Sequence, residues 1–350
     1  MEEITLNLEA VTPIFIAGAD QQNIENEGLR APSLRGLLRW WFRALAGGNI
    51  DTIKRLKDEE CKIFGSTDKK STINVVSQER KVERARFKDV MSDVMNSGGR
   101  DQGHKYLWFS MTYGGNENRE IYLPGSTFTI ALRSNDTEKL NITLGSLWCV
   151  IYLGGIGTRS RRGGGSLKVT DSEGVDYLDF VFDGESVNSA KRFIEDNLQK
   201  IFGLYSDLYG RGTGIDGICI LKDGYSEISL INEEFRDFRD ALGYIGEKYR
   251  GYRRHLDPWQ RYTLGLPIVR KKPLPAVKYK GKRLDEMRHS SPLFFGVIDL
   301  NGKYTIRITK FFTSIHRDLK SEKQWVRHHL TDFDSNINEI PVLIPEVSAR

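Results

Sequence analysis

The chain has 350 residues, of which 39% are hydrophobic and 11% aromatic, and 52 Lys and Arg stand against 47 Asp and Glu for a net charge of +5. This length and apolar content suffice for two cored domains and exclude a disordered, low-complexity polypeptide. No apolar run reaches the roughly 18 residues of a membrane span, the start MEEITLNLEA lacks the basic-then-apolar order of an export signal, and three distant cysteines, Cys61, Cys149 and Cys219, suit neither a disulfide framework nor a zinc site. A soluble cytoplasmic protein with no metal, no cofactor and no membrane partner is expected.

Glu3 to Ala10 alternates apolar and polar residues, with Ile4, Leu6 and Leu8 on one face, and predicts a half-exposed strand. After the polar loop QQNIENEGLR, the run APSLRGLLRWWFRAL predicts a helix capped by Ser33 and stopped at Gly47 and Gly48, burying Leu34, Leu37, Leu38, Trp41 and Leu45. Arg35, Arg39 and Arg43 fall at i, i+4 and i+8 on the opposite side. No acid within the helix answers this stripe, so two readings stand: an external anion binds it, or the arginines pair with acids elsewhere in the fold.

Ser66 to Gly103 reads as a polar insertion with a mobile tip. LWFSMTY and STFTIALR predict strands, NITLGSLWCVIYLGGIG a helix that runs into a glycine-rich loop, and SLKVT a short strand. In the second half DYLDFVF and ICILK predict strands. SVNSAKRFIEDNLQKIFGLY predicts a helix with Phe193, Ile194, Leu198 and Ile201 inward, and NEEFRDFRDALGYI another. PLFFGVIDLNGKYTIRITKFF predicts two strands joined at Asn301-Gly302, the strongest short hairpin signal, and EKQWVRHHL a closing helix. The order predicts an α+β protein of two tandem ferredoxin-like (RRM-like) β-α-β-β-α-β domains with insertions, residues 1–171 and 172–350.

Charge is concentrated. Thirteen basic and four acidic residues lie between 246 and 290, interleaved with Tyr249, Tyr252, Trp259, Tyr262 and Tyr279. Cations for phosphates and rings for unstacked bases make a polyanion-binding surface, with Arg253, Arg254, His255, Arg270, Lys271, Lys272, Arg288 and His289 as contacts; the alternative is a solvated loop. The stretch GGIGTRSRRGGGSL carries Gly154, Gly155, Gly157, Gly163, Gly164 and Gly165 with Arg159, Ser160, Arg161 and Arg162. It completes neither the dinucleotide GxGxxG pattern nor a nucleotide-triphosphate P-loop. Bare N–H groups and three spread guanidinium groups predict a flexible cradle for several phosphates of one continuous backbone.

The glycine loop after a second helix is similar to that of the RAMP superfamily of CRISPR proteins. VTPIFIAGAD, APSLRGLLRWWFRAL, CKIFGS and GIGTRSRRGGGSL together resemble the first RAMP subunit family of the type III-B Cmr effector complex, with LGLPIV and RHSSPLFFGVI weaker matches. The resemblance implies two ferredoxin-like domains in an antiviral ribonucleoprotein, single-stranded CRISPR RNA (its 3′ part) and target RNA as ligands, other Cmr subunits as partners, and no catalytic residue in this chain. Two alternatives stay open. One is a metal-independent endoribonuclease using histidines, from among His104, His255, His289, His316, His328 and His329; the other is an interaction module that docks acidic subunits.

Overall fold

The structure is a computed structural model that describes residues 1–24, 28–92, 102–112, 114–215, 217–256, 261, 264–265, 278–279, 282–283, 290–313, 333 and 337–345. Strand β1 (Glu2–Ala10) buries Ile4, Leu6, Leu8 and Ala10 in alternation, as a period of two dictates. It is central to an antiparallel sheet in the order β2-β5-β1-β6, formed with β2 (Asn74–Glu79), β5 (Thr127–Ser134) and β6 (Leu167–Glu173). The second antiparallel sheet, β10-β11-β7-β12, uses β7 (Ser226–Ile231), β10 (Leu293–Asp299), β11 (Tyr304–Phe311) and β12 (Glu339–Val342). In both sheets the strand earliest in the chain lies between the third and the fourth, and the second lies outside the third. Two-stranded ribbons, β3 (Arg84–Arg86) with β4 (Glu120–Tyr122) and β8 (Lys278–Tyr279) with β9 (Lys282–Arg283), complete the strands among the described residues.

Helix α1 (Ala31–Ala46) buries Leu34, Leu38, Trp41, Phe42 and Leu45. Its start departs from the expected Ser33 cap: Arg30 occupies the cap position without a side-chain capping hydrogen bond, and Pro32 fills the first turn, where a missing N–H costs nothing. Helix α2 (Ile53–Phe64) follows, capped by Thr52 Oγ1 accepting from the Arg55 N–H. Short helices α3 (Phe87–Val90) and α4 (Gln102–Leu107) precede α5 (Thr137–Cys149), which ends in a π-turn at Val150–Gly154. Helices α6 (Val187–Tyr209) and α7 (Phe238–His255) belong to the second half of the sequence.

Several expectations are corrected. The polar stretch after Ser66 supplies β2, whose Val75 is buried opposite Leu132 of β5. LWFSMTY contains a 3-10 turn at Phe109–Met111 instead of a strand. DYLDFVF and ICILK form no strands. In the former, side chains take up backbone acceptors that a sheet ladder would use: Trp148 Nε1 donates to Asp179 O and the Tyr152 hydroxyl to Phe180 O. The β10–β11 hairpin stands as expected, with Asn301 (φ 56°) and Gly302 (φ 94°) both left-handed. EKQWVRHHL lies outside the described residues.

The two sheets share their cores. The larger core joins β1, α1, α5 and the inner face of α6 (Ile194, Leu198, Ile201, Tyr205) to Ile228, Leu230, Phe294 and Phe311 of the second sheet. The smaller one is built on α7, β10 and β11 but takes in Val11, Phe15 and Trp108 from the first half. Residues 187–209, which follow the expected divide at 171/172, pack against α1 and α5 of the first half and against β7 and β12 of the second sheet.

Candidate nucleic-acid interface

The glycine-rich stretch is the joint between the two sheets. Arg162 forms a parallel bridge with Phe295 on the outer edge of β10, and Gly163 N–H donates to Phe295 O at 3.1 Å. On its other side Gly165 N–H reaches Pro13 O at 2.8 Å and Thr158 N–H reaches Phe15 O at 2.8 Å. Buried Thr12 braces the loop, donating to Gly163 O and accepting from the Ser166 N–H. The glycines serve this packing. A Cβ on Gly163 (φ 79°) would lie 2.2 Å from Leu242 Cδ2, and one on Gly165 (φ 71°) 1.9 Å from Ile156 O. Gly154, Gly155, Gly163, Gly164 and Gly165 are buried, while Gly157 and Ser160 are half-buried. The expected flexible loop is thus corrected to a packed and hydrogen-bonded one, because its own core occupies the space that the missing side chains leave.

The arginines of the loop turn toward the second sheet. The Arg161 guanidinium stacks on Phe294 (4.5 Å to the ring centroid) and Trp40 (5.5 Å), and donates to Ser291 O at 2.6 Å. Arg162 donates to Leu293 O and faces the rings of Tyr249 and Phe295. Arg253 covers Tyr249 at 5.5 Å, so two guanidinium groups meet that ring. Burial pushes the Tyr249 hydroxyl up, but Arg162 and Arg253 outweigh it and the displacement is downward. Burial holds Arg161 and Arg162 below the ordinary arginine range.

Arg159 differs from its neighbours. Burial also lowers it, and Arg162 and Arg119 add repulsion in the same direction. Its Nε is shielded from water and meets no hydrogen-bond acceptor. Among the described residues no carboxylate lies within ion-pair distance of Arg159, Arg161, Arg162 or Arg253. Desolvated cations without counter-charge favour an anion from outside. Arg254 and His255 are exposed at the end of α7 beside this cluster.

The α1 stripe is answered in part. Glu60 of α2, 6% exposed, pairs with Arg39 at 3.2 Å and Arg43 at 2.9 Å. Of the two readings of the stripe, pairing with an acid elsewhere in the fold holds at two of its three positions. Arg35 has no such pair among the described residues.

The first half of the chain, residues 7–168, matches the RAMP superfamily model, and residues 234–344 match the Cmr1-like C-terminal model. "CRISPR system Cmr subunit Cmr1-1" of Pyrococcus furiosus is 31% identical over 322 residues, 87% of each chain. The chain belongs to the Cmr1 family of the RAMP superfamily. A second Pyrococcus furiosus relative, "Cmr subunit Cmr1-2", is 37% identical over 190 residues, 48% of this chain and 96% of that one. The crystal structure of apo Cmr1 from the same organism superposes with a TM-score of 0.68 at 25% identity, covering 98% of this chain and 99% of that one. A chain of a type III-B Cmr-β cryo-EM structure bound to cognate target RNA shares the fold at a TM-score of 0.60 and 18% identity, covering 95% and 99%.

In this Cmr1-family chain the sequence candidates fall into separate places. Arg159, Arg161, Arg162 and Arg253 converge at the joint, whereas Arg35, Arg39 and Arg43 line α1. Arg270, Lys271, Lys272, Arg288 and His289 lie outside the described residues. Three contributors escaped sequence reading. Glu60 sits on a different helix from the arginines it answers. Arg119 approaches Arg159 only through the fold. Arg307, 2% exposed, donates to Leu153 O and Gly154 O at the end of α5, where the helix dipole favours a cation, and so ties β11 to the loop. Apart from the Thr309 hydroxyl, to which it also donates, its partners are backbone carbonyls, which leave no sequence signal. Among the described residues no helix is long and apolar enough to cross a membrane, and no group of three His, Cys, Asp or Glu could hold a metal ion.

Proposed function

We propose that this chain is a non-catalytic RNA-binding subunit of a type III-B Cmr ribonucleoprotein, holding single-stranded CRISPR RNA, target RNA or both for antiviral defence. The observation that carries the reading is the acid-free cluster of Arg159, Arg161, Arg162 and Arg253 at the joint of a Cmr1-family chain. Arg161 and Arg162 raise the local potential from inside, and Arg159, Arg254 and His255 meet the phosphates. The related Cmr-β structure, bound to cognate target RNA, supports both the RNA ligand and neighbouring Cmr subunits as partners. The repeated strand order supports two ferredoxin-like units divided near 171/172, with α6 packed against α1 and α5 of the first unit and β7 and β12 of the second.

The test is one gel series with labelled single-stranded and duplex RNA, with magnesium or with chelator. Tight single-strand binding with intact RNA is expected. Defined cuts that persist in chelator would favour the ribonuclease alternative, for which His255 is the exposed candidate among the described residues, and would overturn the non-catalytic reading.

A further inference from the structure

A cavity of about 420 Å³ opens between the first two turns of α1 and the turn that follows α2. Arg35, Arg39, Lys69 and Lys70 line it, and no carboxylate does. Its walls are preorganised. Arg39 is fixed by Glu60 and by donation to Phe64 O and Gly65 O. The Lys69-Lys70 turn is closed by Ser66 N–H donating to Lys69 O, while Ser66 Oγ accepts from the Asp68 and Lys69 N–H groups. Gly65 (φ 76°) permits that turn, since a Cβ there would lie 2.6 Å from Lys69 O. Arg35 enters with its Nε shielded from water and without an acceptor. Gly36 leaves the α1 wall bare, with no atom within 4 Å of where its Cβ would stand.

We propose that this cavity is a second RNA contact, separate from the joint, and that it seats one phosphoryl group between Arg35, Arg39, Lys69 and Lys70. The inference rests on the RNA-binding reading above. The open guanidinium of Arg35 and two ammonium groups, set beside the Glu60-anchored Arg39, match the geometry and charge of a phosphate better than those of a carboxylate. The volume admits one nucleotide. The phosphoryl group belongs either to an internal diester of the strand or to a phosphorylated end, and the two sources bind through the same contacts.

Gly36→Glu tests the site in the full chain. The new side chain enters open space and replaces glycine in a helix interior, so the variant should melt at or above the wild-type temperature. Short, internally labelled single-stranded RNA, with and without terminal phosphates, is titrated against both proteins. A loss of at least about tenfold for both RNAs assigns the site to an internal diester; a loss confined to the phosphorylated RNA assigns it to an end. Lys69→Ala with Lys70→Ala, both on the exposed turn, should lower the slope of log K against log salt by up to about 0.7, the single-strand value for the one phosphate seated there. Wild-type affinity in both variants would overturn the cavity while leaving RNA binding in place. No RNA binding by the wild-type chain at low salt would overturn both.

Discussion

Replacing Gly165 by Ala probes whether the glycine loop is a packed joint. Its φ of +71° places an added Cβ 1.9 Å from Ile156 O, which is backbone and has no rotamer to move. The left-handed conformation costs an alanine about 1–2 kcal/mol. Relieving the overlap also separates Ile156 N–H from Gly165 O (3.0 Å) and Gly165 N–H from Pro13 O (2.8 Å), at about 1 kcal/mol for each bond. The sum is about 3–4 kcal/mol, a large part of the stability of an ordinary domain. At about 2 °C per kcal/mol for a chain of this size, thermal unfolding should fall by about 6–8 °C. Gly36→Ala is the control: its Cβ meets nothing, and it should gain about 0.5–1 kcal/mol. Unchanged melting of Gly165→Ala together with weakened RNA binding would refute the joint and restore a ligand cradle.

Other expectations follow from the same contacts. Arg159→Met should leave stability equal or higher, because it removes a buried cation with no counter-charge, while RNA affinity falls about three- to tenfold; equal affinity in a binding titration would remove Arg159 from the interface. Glu60→Gln should destabilise by about 1–2 kcal/mol in denaturant unfolding, discounted for the partial exposure of Arg39 and Arg43, yet tighten RNA binding; weakened binding would contradict it. Alkaline pH acts with both signs. Burial raises Cys219 to about 11 from 9 and Tyr177 to about 12 from 10, so their contribution is complete below pH 9 and 10 and is lost by about 11 and 12. Burial lowers Arg307 to about 9, well below the ordinary arginine range, so its contribution grows as pH rises above 9. With Tyr205 also raised by burial, unfolding free energy should decline between pH 9 and 12, and Arg307→Met should steepen the decline; a flat profile would contradict these assignments.

What the sequence disclosed tracks the range of the forces involved. The alternation in β1, the apolar face of α1 and the Asn301-Gly302 turn are local signals, and each element formed where it was expected. β2 was hidden because its Val75 is one of few apolar residues in a polar stretch, and pairing with β5 makes it a strand. Residues 176–182 alternate like a strand, but Trp148 and Tyr152 take their carbonyls, a contact between distant positions. The glycine loop shows the same limit at the candidate site. Composition told that the backbone is bare and the charge positive. It did not tell whether a ligand or the protein's own Phe15, Leu242 and Ile156 would approach that backbone. Helical spacing likewise displayed the α1 stripe without Glu60, which reaches it from the next helix.

The central claim, RNA held by a guanidinium cluster without counter-charge, is tested most directly by titrating single-stranded RNA binding of the full chain against salt in the presence of chelator. Three or four phosphate contacts predict a slope of log K against log salt of about −2 to −3, with the RNA intact and a shallower slope for Arg159→Met. Binding that is absent or indifferent to salt would contradict the account.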